Sequence, residues 1–93
     1  MRQFEWDPLT AAANRRVHGI DFGDATAVFE DEKALSVQDE IRAVSEPRFL
    51  TLGRDALARV VVVAYTSRGG RLRIGSARRA TPAERRQYRG GRG

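Results

Sequence analysis

The sequence has no cysteine, one histidine, one tryptophan and three prolines in 93 residues. Without cysteine there are no disulfides and no thiolate metal sites. With a single histidine, a zinc site would need a carboxylate-heavy ligand set, and the spacing of the acidic residues offers none. No cofactor is called for. No apolar run approaches the ~20 residues that span a bilayer. The longest, Val60-Val-Val-Val-Ala64, has the length of a strand. The opening Met1-Arg-Gln-Phe-Glu5 lacks the apolar segment of a signal peptide, so a cytoplasmic protein without membrane contact is expected. Also missing are a glycine-rich phosphate loop, a nucleophile elbow, a paired-carboxylate arrangement, internal repeats and heptads.

What is present is ordinary globular material, 41% hydrophobic and 31% charged. This is enough for one domain with a single modest core, expected over residues 1–88, with a flexible basic tail over 89–93. Charge is unevenly spread. Residues 1–46 hold five basic and ten acidic side chains, a balance of −5, whereas residues 47–93 hold twelve basic and two acidic ones, a balance of +10. Such asymmetry suits a C-terminal half that meets a polyanion, either nucleic acid or an acidic protein. A solvated arginine-rich surface is the plainer alternative.

Phe4-Glu5-Trp6 reads as a short strand or extended entry. Asp7-Pro8 then starts a helix that runs to about His18, with Gly19 as its left-handed terminus. Asp21 opens a second helix over Phe22 to Phe29, with Phe22, Ala25 and Phe29 at helical spacing. Residues 34–38 alternate weakly as a strand, and 39–47 read as a loop. Arg48 to Leu52 is a strand followed by a turn signal at Gly53-Arg-Asp55. Arg59 to Tyr65 carries four β-branched valines and implies burial on both faces. Gly69-Gly70 supplies the positive φ of a tight hairpin leading to a strand over Arg71 to Ser76. Thr81-Pro-Ala-Glu84 is a capping box with proline at the first helical position. The expected architecture is α+β: two N-terminal helices, an antiparallel sheet of three to four strands and a C-terminal helix. The helices cover one face of the sheet in a two-layer domain, leaving the other face for function.

The candidate chemistry lies in the arginines. Strand alternation puts Leu72 and Ile74 on one face and Arg71 and Arg73 on the other. Gly75 permits a close backbone approach or a bulge. Arg78 and Arg79 are placed in a turn before a helix N-terminus, where anions are favoured, with the hydroxyls of Ser76 and Thr81 beside them. Guanidinium groups hold phosphates bidentately and keep their charge at any biological pH; each of these arginines can equally bridge a surface carboxylate such as Glu84. His18 has the one side chain whose ordinary pKa allows proton transfer both ways near neutrality, or it is a helix-terminal residue compensating the dipole. Tyr65 could lend its phenol to a site or cap the core. Arg48 and Arg68 stand where they could converge on a groove, and Glu46 could be a base or the partner of Arg48. Phe4, Trp6, Phe22, Phe29 and Phe49 read as core rather than as base-stacking platforms.

Taken in order, these residues resemble the BrnT-type toxins of the RelE-like ribonuclease superfamily. The family's Phe-x-Trp-Asp is matched by Phe4, Trp6 and Asp7. Its Asn-x-x-Lys-His-Gly-hydrophobic-x-Phe is matched by Asn14, His18, Gly19, Ile20 and Phe22, and its Glu-x-Arg leading to glycine by Glu46, Arg48 and Gly53. Its arginine, hydrophobic strand and Tyr-Thr-x-Arg is matched by Arg59, Tyr65, Thr66 and Arg68. Its Arg-Ile-Ile-Ser-Ala-Arg-Arg-Ala-Thr with a following Glu-Arg is nearly reproduced from Arg73 to Arg85. The resemblance implies a RelE-like fold and a metal-independent endoribonuclease that cleaves RNA and inhibits translation. It also implies a BrnA-type antitoxin partner, through which alone the toxin reaches operator DNA. Ribonucleases of this kind activate a ribose 2′-OH against the adjacent phosphodiester while basic groups neutralise the developing charge. On this reading His18, Arg48, Tyr65, Arg68 and Arg78 are the expected catalytic residues, and Arg71, Arg73, Ser76 and Arg79 the expected RNA contacts. Three positions depart from the family pattern: Thr10 and Val17 replace lysines, and Gly75 replaces an isoleucine. Arg15 and Arg16 could take over the lost charge. The alternative is an inactive homologue that binds an antitoxin and acts as transcriptional co-repressor.

Overall fold

The computed structural model describes residues 2–39 and 47–90. Glu46 and most of the expected 39–47 loop lie outside those residues, as do residues 91–93 of the expected tail. The chain forms β1 (Gln3–Glu5), α1 (Pro8–His18) and α2 (Phe22–Ala25), which continues as a 3₁₀ turn over Thr26–Glu30. Then follow β2 (Leu35–Gln38), β3 (Arg48–Arg54), β4 (Val60–Arg68), β5 (Arg71–Arg79) and α3 (Pro82–Arg89). The strands make one sheet in the order β1-β5-β4-β3-β2. The α+β class holds, but among the described residues the sheet has five strands and is mixed rather than three- or four-stranded and antiparallel. The extra strand is β1, which pairs parallel to β5 with Gln3 opposite Arg71 and Glu5 opposite Arg73.

The valines of β4 divide the core. Val61 and Val63 pack with Ile20, Phe22, Ala25, Val28, Ile74 and Ala77 on one face. Val62 packs with Leu52, Ala80 and Tyr88 on the other. The first cluster lies under α1, α2 and the 3₁₀ turn, and the second lies under α3. The expected two-layer arrangement is therefore corrected: helices lie on both faces, because alternating valines give each face its own apolar stripe. Fully buried Phe22, Ile20 and Ile74 each contribute about 1.5–3 kcal/mol by leaving water. Phe22 meets Trp6 edge-on, and Phe29 meets both Phe4 and Tyr65, so these rings serve the core.

The helix expected over 22–29 splits after Ala25. Residues Phe22, Ala25 and Val28 are buried three apart, which matches the three-residue turn of a 3₁₀ helix. Thr26 also bonds back to the carbonyl of Gly23. The turn expected at Gly53 is displaced as well. Gly53 lies inside β3, where a Cβ would come within 3.2 Å of Asp31 Oδ2 and 3.3 Å of Val28 Cβ. The turn follows at Asp55, whose buried carboxylate accepts the Leu57 and Arg59 backbone N–H groups and pairs with the Arg59 guanidinium.

The helix termini and the hairpin form as the sequence predicts. The Asp7 carboxylate accepts from Thr10 N and Thr81 from Glu84 N, and Gly19 adopts φ 71°. Gly69 and Gly70 have φ 55° and 84° and close a two-residue hairpin. One polar residue ties α1 to the sheet. The buried Asn14 side chain donates to Ile20 O and Ala77 O and accepts from Ala77 N. It thereby occupies the β5 edge beyond the reach of three-residue β1. Among the described residues no helix is long and apolar enough to cross a membrane.

Candidate active groove

Gly75 sets the geometry of the arginines. Ile74 pairs with Tyr65 and Ser76 with Ala64, so Gly75 is an extra residue bulging out of β5. A bulge reverses the alternation beyond it. Arg73 and Arg78, five residues apart, therefore face the same side of the sheet, the side that carries α3. Helix α3 covers only one end of that face. At the other end Arg48 lies opposite Thr66, Thr66 opposite Arg73, and Arg73 opposite Glu5. This row crosses four adjacent strands.

The row opens into a groove of about 230 Å³ lined by Arg48, Thr66, Arg68 and Arg73, with Asp7 and Thr10 of α1 at its margin. Glu5 holds two of the neighbouring cations. Its Oε2 lies 3.2 Å from Arg73 Nη1 and its Oε1 3.5 Å from Arg71 Nη1. One carboxylate shared between two guanidiniums leaves positive charge in excess. Asp7 is the one carboxylate in the groove lining among the described residues. Its pKa is held below the ordinary carboxylate value, first by the Thr10 backbone N–H, then by the Thr10 hydroxyl, with the charge of Arg73 adding to both.

The sequence-predicted residues separate into groups. Arg48, Arg68 and Arg73 come together in the groove, and Arg71 stands beside it on Glu5. Arg78 does not reach it. Its Nη1 and Nη2 lie 2.8 and 2.9 Å from the two carboxylate oxygens of Glu84, which raises the Arg78 pKa and lowers that of Glu84 to about 2. Nor do Arg78 and Arg79 occupy a turn: both complete β5. Ser76 and Arg79 are absent from the groove lining. Tyr65 contributes to the lining, yet its hydroxyl is bonded to Thr51 at 2.9 Å and its ring packs against Phe29 and Phe49. His18 lines a neighbouring hollow of about 230 Å³ with Ala13, Val17, Thr10 and Gly75.

Sequence reasoning passed over Glu5, Asp7, Thr10 and Thr66 as groove residues. Asp7 read there as a helix-starting residue and Thr10 as the replacement of a family lysine, and the pairing of Glu5 with Arg73 joins residues 68 apart. At the covered end a different hollow, of about 420 Å³ and mostly apolar, lies between α3 and Leu35, Val37, Leu50, Leu52 and Val62. Among the described residues no three His, Asp or Glu side chains gather as a metal site.

The family model described as ribonuclease toxin, BrnT, of type II toxin-antitoxin system matches residues 6–84. The chain belongs to the BrnT family. The fold is similar to that of the crystal structure of the Brucella abortus ribonuclease toxin BrnT, with a TM-score of 0.66 and 20% identity over 87% of this chain and 99% of that one. No curated protein sequence matches the chain. A toxin of a type II system implies an antitoxin partner. Thr10, Val17 and Gly75, the positions that the resemblance marks as departures, all line the hollow that contains His18. Thr10 and Gly75 also line the arginine groove.

Proposed function

We propose that this BrnT protein is an endoribonuclease whose active groove is the uncovered end of the sheet, and that it is held inactive by a BrnA-type antitoxin. The observation that carries the reading is the Arg48–Thr66–Arg73 row, with Arg68 beside it, opening into one groove. In the reaction a ribose 2′-oxygen attacks the adjacent phosphorus and the bond to the 5′-oxygen breaks. The products are a 2′,3′-cyclic phosphate and a 5′-hydroxyl. Arg48, Arg68 and Arg73 bind the phosphate and offset the charge that grows on its oxygens. The 2′-OH proton leaves to water in the open groove, where the ionised Asp7 carboxylate can accept a hydrogen bond from the hydroxyl, and the leaving 5′-oxygen takes a proton from water there. Cleavage of RNA would arrest translation in the cell. The test is incubation of purified protein with RNA in EDTA. New 5′-hydroxyl ends from the wild type and none from Arg73→Ala support the reading, and intact RNA contradicts it.

A second reading rests on Thr10 and Val17. Both family lysines are missing from the surface that would meet RNA, which favours an inactive homologue serving as antitoxin-binding module and co-repressor. Induction of the chain alone separates the two. Growth arrest with defined RNA cuts supports the nuclease, and normal growth with soluble folded protein and intact RNA supports the binding module.

A further inference from the structure

The arginine groove explains how a phosphate is held but offers no surface for a base. Its neighbour does. The hollow between α1 and the β5 bulge shares Thr10 and Gly75 with the groove, so the two are continuous across the bulge. Its walls are Ala13, Val17 and the His18 ring, and Val17 is 70% exposed with no role in the core. Along α1, Thr10 to Val17 rises about 10 Å. The hollow thus begins at the groove and runs away from it. It is a shallow, open and mostly apolar depression, which suits contact with one face of a planar ring rather than enclosure of a ligand.

Gly75 is the link between the two. Its φ is not in the left-handed region, and an added Cβ would meet only Ala64 O, at an ordinary 3.6 Å. Neither backbone conformation nor packing excludes a side chain here, and in a strand glycine gives up stability. What the missing side chain achieves is a low saddle between the phosphate groove and the hollow.

We infer that the α1–β5 hollow is a nucleobase subsite, which takes the base next to the phosphate bound by Arg48, Arg68 and Arg73 and holds it against Val17 and the His18 ring. This rests on the ribonuclease reading. Bases that stack on side chains with a flat face, histidine included, are bound without hydrogen-bond readout. His18 is then a binding residue rather than a proton carrier.

Two non-cleavable probes test the inference: a 2′-O-methyl RNA trinucleotide, and its abasic counterpart with the same phosphates. The wild type should bind the base-bearing probe about tenfold more tightly, as one stacked base contributes. Val17→Ser should remove most of that preference, and Gly75→Val, checked for folding by thermal melting, should abolish it by filling the saddle. Arg73→Ala should weaken both probes alike. Equal affinity of the wild type for the two probes, with binding still dependent on Arg73, overturns the subsite and leaves the ribonuclease reading intact. Unchanged preference in both Val17→Ser and Gly75→Val also overturns it. Failure of both probes to bind the wild type overturns the ribonuclease reading, and the subsite falls with it.

Discussion

The two ends of the α3-bearing face use arginine in opposite ways. At the covered end Arg78 is spent on Glu84, a bidentate pair at 2.8 and 2.9 Å. Arg54 there lies over the Tyr88 ring at 5.5 Å and donates to Ala58 O. At the open end Arg71 and Arg73 share the single carboxylate of Glu5 at longer distances, while Arg48, Arg68 and Arg73 line a groove. The residue type is the same, and in Arg73 and Arg78 so is the strand. What differs, among the described residues, is how the carboxylate is engaged: Glu84 gives both oxygens to Arg78, whereas Glu5 is divided between Arg71 and Arg73. On the proposed reading, a guanidinium given a whole carboxylate serves as a structural tie, and guanidiniums that share one serve as an anion site.

The sharpest way to break this contrast is to remove one arginine from each end. Arg73→Ala should lower the RNA cleavage rate about 10²–10³-fold, the usual loss for one preorganised donor to a developing anion, with little change in melting temperature. Arg78→Ala should leave the rate per folded molecule unchanged and instead lower stability by about 1–2 kcal/mol, because it strands Glu84 beside α3. The reverse pattern would assign the site to the wrong end.

Asn14 sharpens the contrast from the side of α1, which positions Asp7 and Thr10. Asn14→Ala deletes three buried hydrogen bonds and should cost about 2–4 kcal/mol, readable as a loss of roughly 10 °C or more in melting temperature. An unchanged melting temperature would mean that α1 is held by its apolar contacts alone.

Acid should loosen the covered end specifically. The folded-state pKa of Glu84 is depressed to about 2 from an ordinary 4.5. Its contribution is therefore complete above the unfolded value and is lost as pH falls from about 4.5 toward 2. Asp31 adds in the same direction. Burial pushes its pKa up, but hydrogen bonds from the Tyr88 hydroxyl and the Arg54 and Lys33 backbone hold it below the usual value. Urea melts of wild type and Glu84→Gln should converge over that window, with a difference of about 1–2 kcal/mol at neutral pH. The smallest effect belongs to Tyr88→Phe, which removes the 2.6 Å bond to Asp31 and should cost about 1 kcal/mol without altering cleavage.

Much of this was legible in the chain because it is local. The Asp7 and Thr81 caps, the left-handed Gly19, the Gly69-Gly70 hairpin and the doubly buried valines each follow from a few adjacent residues. What escaped depended on long-range pairing. The N-terminal segment was legible as a short strand or extended entry, but its parallel place beside β5, with Gln3 opposite Arg71, was not. Gly53 reads as a turn residue until Val28 and Asp31 are seen against it. The same limit governs the site. The arginines that could meet phosphate were recognisable, but a single bulge at Gly75 decides which face each occupies. Glu84 was legible both as a capping residue and as a carboxylate that an arginine could bridge, but that Arg78 is the arginine it holds came only from the geometry.

The most direct test of the contrast is a backbone amide NMR titration of the ¹⁵N-labelled protein with a 2′-O-methyl RNA trinucleotide. Shifts should concentrate at Arg48, Thr66, Arg68, Arg73 and the first turn of α1, while Arg54, Arg78 and the residues of α3 stay unmoved. Shifts centred instead on α3 and the apolar hollow beneath it would contradict the account.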